Sequence, residues 1–208
     1  MKSITYRLAE FFIIFILIPV SFALSFPVWI KLSIGFVGFL YVIYVLLKVE
    51  HNRFKLRECI NWKQFWQRTV LKFLVIGIIT TIYVYVVDYN NLFVVLKTKP
   101  LLWVIILFVY SIFSVYPQEL IYRTFFFQRY ESLFRSNILF LLVNAAVFSL
   151  AHIFFRNTLV LFLTFIGGIL FALTFKNTKS TLLVSIEHTL YGCWLFTVGM
   201  GAMLGFPT

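Results

Sequence analysis

Residues 101–127 read LLWVIILFVYSIFSVYPQELIYRTFFF, an apolar run with Pro117, Gln118, Glu119 and Arg123 set inside it. A helix needs about 20 apolar residues to cross a hydrocarbon core about 30 Å thick, so this run is long enough to span. An ionisable group at that depth costs about 2.5–3.5 kcal/mol on insertion scales, and its presence asks for a functional reason. Glu119 and Arg123 are four residues apart, which on a helix puts them on one face within reach of each other. That pair is either a structural ion pair locking two helices together or part of a reactive site. The proline predicts a break or kink with a new helical start at Pro117. Gln118 and Glu119 would then lie near the positive end of that helix, which favours an ionised Glu119.

The rest of the composition points to the same solvent. Hydrophobic residues make up 62% of the 208 and charged residues 12%, which is too apolar for a water-soluble domain. The chain reads as all-α, a polytopic transmembrane helical bundle of about seven to eight spans. It forms a single integral membrane domain over 1–208, with its motif-bearing core at about 101–204. Net charge is +11, but the Lys and Arg residues sit in the gaps between apolar runs, as in loops facing an anionic leaflet. No separate basic domain exists for a nucleic-acid partner. The partners expected are the lipid bilayer and a peptide or protein substrate at the membrane; oligomeric state is not legible. Cys59 lies in a basic loop and Cys193 in an apolar run, so neither a disulfide between them nor a cysteine-ligated metal is expected.

Taken in order, the first run spans Phe11 to Trp29, is too long for a signal core, and is kinked at Pro19. The second is Leu32 to Leu47. From Lys48 to Lys72, basic residues alternate with Phe54, Trp62, Phe65 and Trp66, a composition that suits a helix lying on the cytoplasmic surface. The third run is about Val70 to Val87, with Asp88 to Asn91 as its polar exit. The fourth starts at Leu101, the fifth is Ile138 to Phe155, the sixth Thr158 to Phe175, and the seventh about Thr181 to Leu204. With a cytoplasmic N-terminus, the cytoplasmic side receives Lys2, Arg7, the Lys48 to Arg68 cluster, Arg129, Arg135, Lys176 and Lys179. The other side receives Lys31, Lys97, Lys99 and Arg156. This bias satisfies the positive-inside rule and places the chain as a multi-pass protein of the plasma (inner) membrane.

Polar residues inside spans concentrate in the C-terminal half: Gln118, Glu119, Arg123, Asn144, His152, Glu187 and His188. A carboxylate with two histidines, Glu119 with His152 and His188, supports two routes to hydrolysis. They could hold a zinc ion with an open position for water, or the Glu could activate water directly with a His orienting it. Their spacing is not the compact helical signature of soluble zinc proteases.

Glu119-x-x-x-Arg123, Phe148-x-x-x-His152 and His188 in a last apolar segment together resemble the three motifs of the CPBP family, the CAAX-processing and bacteriocin-processing (Abi) intramembrane endopeptidases. The similarity covers about Trp103 to Met203. It implies a helical membrane bundle with a polar cavity that cleaves peptides near the membrane. It also implies catalytic roles for Glu119, Arg123, His152 and His188, and substrate-side positions for Gln118 and Phe148. In the family the glutamate and first histidine activate water, while the second histidine and an Asn four residues later stabilise the oxyanion. Members have been described both as zinc enzymes and as metal-free ones, so the cofactor expectation is none, or zinc on Glu119, His152 and His188. Two positions depart from the pattern. Gln118 stands where the family's first glutamate, the usual base, is found, and an amide cannot accept the proton. Gly192 stands where the Asn is expected.

Two other readings remain open on the residues. One is a catalytically silent protein of the same fold that binds a partner peptide as an immunity factor does, supported by Gln118 and Gly192. The other is a small transporter with Glu119, Arg123, His152 and His188 as a proton relay.

Overall fold

The structure is a computed structural model describing residues 3–52 and 60–205. Among the described residues every regular element is helical. The long helices are α1 (Ile4–Phe22), α2 (Val28–Lys48), α3 (Trp62–Val87), α4 (Pro100–Leu133), α5 (Asn137–Leu150), α6 (Thr158–Thr178) and α7 (Thr181–Val198). Six described helices are long and apolar enough to cross a membrane, α5 counting as Asn137–Phe155. The expected seventh, α7, has Glu187 and His188 within its 18 residues and is not among them. Large apolar side chains along α2 and α3, among them Leu32, Val37, Leu71, Ile78 and Val86, are exposed on the protein surface. Such a surface is at home in lipid rather than in water. The chain is a multi-pass membrane protein.

Both intramembrane prolines sit in continuous helices, where the sequence predicts a break or kink with a new helical start at Pro117. The helix passes through Pro117 because the stretch Tyr110–Val115 just before it is wound as a π-helix. Proline lacks an N–H and its ring crowds the carbonyl four residues back. A wider π turn moves that carbonyl away, so the helix continues. Pro19 is handled in the same way, following the π stretch Ile13–Leu17. Gln118 and Glu119 therefore lie inside a 34-residue helix and not at a helical N-terminus.

A second correction concerns the basic segment after Lys48. Residues 53–59, with Arg53, Phe54, Lys55, Arg57 and Cys59, lie outside the described residues. From Trp62 onward, however, the chain is the beginning of α3, capped by Asn61, whose side chain accepts from the Gln64 N–H at 3.0 Å. Lys63, Arg68 and Lys72 are thus in the opening turns of a spanning helix.

Contacts divide the chain into two compact units, Met1–Leu56 with Gln118–Thr181, and Arg57–Pro117 with Leu182–Thr208. The first contains α1, α2, the second half of α4, α5 and α6. Its core is aromatic: Phe15 meets Phe126 and Tyr130 edge-on at 5.1 and 5.8 Å, and Phe127 meets Phe140 at 4.8 Å. Each such pair contributes about 0.5–1.5 kcal/mol beyond its area. At one end of this unit Arg129 Nε lies 2.7 Å from Glu10 Oε2 and Nη1 lies 2.8 Å from Glu50 Oε1. The Tyr130 hydroxyl donates to Glu10 at 3.0 Å, and the Tyr41 hydroxyl donates to it as well. This network explains why α1 begins at Ile4 rather than Phe11, since a helical Glu10 reaches a buried guanidinium. α5 and α6 pack backbone to backbone at Gly168, where a Cβ would stand 2.9 Å from the Ala145 Cα.

The second unit contains α3, the first half of α4 and α7. Trp194 Nε1 donates to Thr80 Oγ1 at 2.9 Å, and its indole covers Gly77 on α3. Trp103 Nε1 donates to Thr197 Oγ1, also at 2.9 Å. α7 ends where Gly199 takes φ +113°, a conformation that a residue with a Cβ rarely adopts.

Candidate active site

Glu119 and Arg123 are completely buried, and Arg123 Nε lies 3.3 Å from Glu119 Oε2. The i,i+4 expectation is met as an ion pair. A buried pair is worth little unless further hydrogen bonds hold its members, and here they do. Arg123 Nη1 donates to Asn144 Oδ1 at 2.8 Å and to the Tyr122 carbonyl at 3.2 Å, while Asn144 Nδ2 donates to that same carbonyl at 2.6 Å. Tyr122 lies in a second π stretch, Leu120–Phe125, where the shifted backbone ladder turns a carbonyl toward a side-chain donor. The guanidinium also lies 4.7 Å from the centre of the Phe148 ring and 5.9 Å from that of Phe171. A desolvated contact of this kind is worth about 2 kcal/mol. Phe148, at 1% exposure, is thus a floor beneath the cation.

His152 is not inside a helix, as its place in the fifth run predicts. α5 ends at Leu150 and His152 sits in the following turn, its N–H bonded to the Ser149 carbonyl at 2.9 Å. The chain turns there because the 3-10 stretch Ile153–Phe155 closes on Arg156, at φ 52°, ahead of the Asn157 cap of α6. The break lets the ring fold back: Nδ1 lies 2.8 Å from the carbonyl of Phe148. A carbonyl can only accept, so Nδ1 carries a proton, and in the neutral ring Nε2 is left as the acceptor. The Phe148 ring at 4.9 Å and the stacked Phe155 ring at 6.0 Å hold the imidazole from its sides. Phe148-x-x-x-His152 is therefore one device: the phenylalanine supports Arg123 with its ring and orients His152 with its carbonyl. Gln118 precedes Glu119 on α4 and is half-buried.

In the second unit His188 is buried on α7, with Nε2 3.1 Å from the Tyr110 hydroxyl. Glu187 beside it is fully buried; Lys72 donates to its Oε1, as does the Tyr191 hydroxyl at 2.8 Å, and that hydroxyl also reaches the Thr69 carbonyl at 3.2 Å. Sequence reasoning singled out Glu187 without its partner and missed Tyr110 and Lys72. Tyr110 had no signal among 11 tyrosines, whereas Lys72, at the start of the third apolar run, could have been matched to a buried carboxylate. Cys193 is a free thiol.

A family model described as Rce1-like, type II CAAX prenyl endopeptidase Rce1-like, matches residues 100–194. Over those residues the chain is similar to that family. The match spans α4, α5, α6 and most of α7, and so contains Glu119, Arg123, His152 and His188; it agrees with the CPBP resemblance of the three motifs. No curated protein and no solved structure matches the chain. The family's name denotes a prenyl endopeptidase. Among the described residues no three His, Cys, Asp or Glu side chains form a group that could hold a metal ion.

Proposed function

We propose that the chain is an intramembrane endopeptidase that hydrolyses a peptide bond of a membrane-associated substrate through a Glu119-activated water. The observation that carries this reading is the fixed state of the first motif pair. Glu119 is held by Arg123, itself anchored to Asn144 and Tyr122, and His152 is held with Nε2 as its accepting nitrogen. In this reading Glu119 takes a proton from water as its oxygen attacks the scissile carbonyl carbon. His152 Nε2 orients that water, His188 donates to the carbonyl oxygen, and the proton then passes to the leaving amine as the C–N bond breaks. Every step uses side chains of this chain and none is routed through a metal.

The silent-binder reading is favoured by Gln118 and Gly192, and one experiment separates the two. Purified protein in liposomes is offered a membrane-anchored peptide library, prenylated and unprenylated, with products read by mass spectrometry. Cleavage by the wild-type protein that is lost in Glu119→Gln and in His152→Ala, by about 10² to 10⁴ in rate, supports the hydrolase. A wild-type protein that binds a peptide without cutting it, or a fully active Glu119→Gln, overturns it. Chelators are expected to leave the rate unchanged; loss restored by added zinc would replace the metal-free route.

A further inference from the structure

The second unit contains a hydrogen bond that the scheme above does not use. Tyr110 opens the π stretch of α4, and its hydroxyl oxygen lies 3.1 Å from His188 Nε2. The two rings meet edge-on, with centroids 6.0 Å apart at 81°. Phe196, on α7, holds the tyrosine ring at 4.9 Å and 82°.

The seat of this phenol is a missing side chain. A Cβ on Gly192 would stand 2.1 Å from the Tyr110 hydroxyl oxygen and 2.4 Å from its Cε1, distances that no real Cβ tolerates. Gly192 is buried within the helical range of α7. Its backbone is not in the left-handed region, so conformation does not call for glycine there. In a helix interior glycine costs about 1 kcal/mol relative to alanine. Space is what remains to explain it, and the group that fills that space is a hydroxyl aimed at a histidine. The Gly192 departure is in this sense one half of a pair whose other half is Tyr110.

We propose that Tyr110 is the positioning residue for His188. Its O–H donates to Nε2, so the neutral imidazole keeps its proton on Nδ1, and Nδ1–H becomes the donor that meets the developing oxyanion. With the phenol O–H as the donor, Nε2 must be the accepting nitrogen, and the bond selects one tautomer. The proposal rests on the hydrolase reading for its catalytic meaning, but not for its structural content.

The test has two arms. In the first, protein with 15N-labelled histidine is studied by NMR in nanodiscs, and the signals of its three histidines are assigned by single His→Gln variants. Wild-type His188 is expected as the Nδ1–H tautomer, and in Tyr110→Phe it shifts to Nε2–H or a mixture. The phenylalanine retains the ring that packs on Phe196, so folding is preserved. In the second arm, Tyr110→Phe lowers kcat about tenfold or more with KM unchanged. Gly192→Ala, which drives the phenol out, gives a similar loss, and the double variant is no worse than either single one because both remove the same bond. An unchanged tautomer in Tyr110→Phe overturns the proposal. So does a wild-type kcat in Tyr110→Phe while Glu119→Gln is inactive, an outcome that leaves the hydrolase reading intact. If wild-type protein cuts nothing, the hydrolase reading falls and the tautomer alone decides the place of Tyr110.

Discussion

Arg123 is the residue on which the first half of the candidate site depends. Its charge is buried against Glu119, and its hydrogen bonds reach Asn144 and the Tyr122 carbonyl. Removing one member of such a set leaves the others desolvated. Arg123→Ala is therefore expected to destabilise the protein by about 3–5 kcal/mol, visible as a large fall in Tm in detergent. Arg123→Met, of similar volume but uncharged, should be nearly as harmful because Glu119 stays buried beside it; wild-type stability in either variant would show that Glu119 does not need the guanidinium. Gln118 is one of the two residues at which this chain departs from the pattern it resembles. Gln118→Glu restores the usual adjacent pair, and its rate of peptide cleavage is expected to equal or exceed wild type. A fall of about tenfold or more with Tm unchanged would mean that this site is tuned to a single carboxylate.

At the scale of elements, small residues decide how closely the helices approach. On α6, Gly168 faces the Ala145 backbone at 2.9 Å, whereas a Cβ on Gly167 would meet the tip of the Phe171 ring at 3.2 Å. A ring edge can move a few tenths of an ångström and a helix backbone cannot. Gly168→Ala is expected to cost about 1–3 kcal/mol, and Gly167→Ala clearly less, in a paired comparison of thermal unfolding. The reverse order would place the α5–α6 contact elsewhere. The π stretches belong to this scale too. Two of them carry the chain past Pro19 and Pro117 without a break, and the third, Leu120–Phe125, presents the carbonyl that Asn144 and Arg123 share.

At the scale of the whole molecule, loop charge sets the orientation expected in the membrane. Basic residues concentrate on alternate sides of the spans, and anionic cytoplasmic leaflets retain them. The segment between Lys48 and Lys63 is expected in the cytoplasm and the C-terminus on the opposite side of the membrane. Reporters active on one side only, inserted after Lys48 and fused after Thr208, check this. Both reporting the same side would show that α7 does not cross.

The membrane as solvent, the helical class and most of the spans were all legible in the sequence, because run length and the cost of a buried charge are local sums. Glu119, Arg123, His152 and His188 stood out for the same reason: few ionisable groups occur inside apolar runs. What only the tertiary structure decided is which partner each takes. Asn144 and Phe148 hold Arg123, Lys72 pairs with Glu187, Arg129 with Glu10, and Tyr110 occupies the space that Gly192 leaves open. These pairings join residues from 21 to 119 positions apart. Local pattern says that a buried charge must find a partner, but the choice among distant candidates depends on how closely the helices approach. The turn at His152 is likewise tertiary, since the ring could not reach the Phe148 carbonyl and leave Nε2 as the acceptor unless the chain changed course after Leu150.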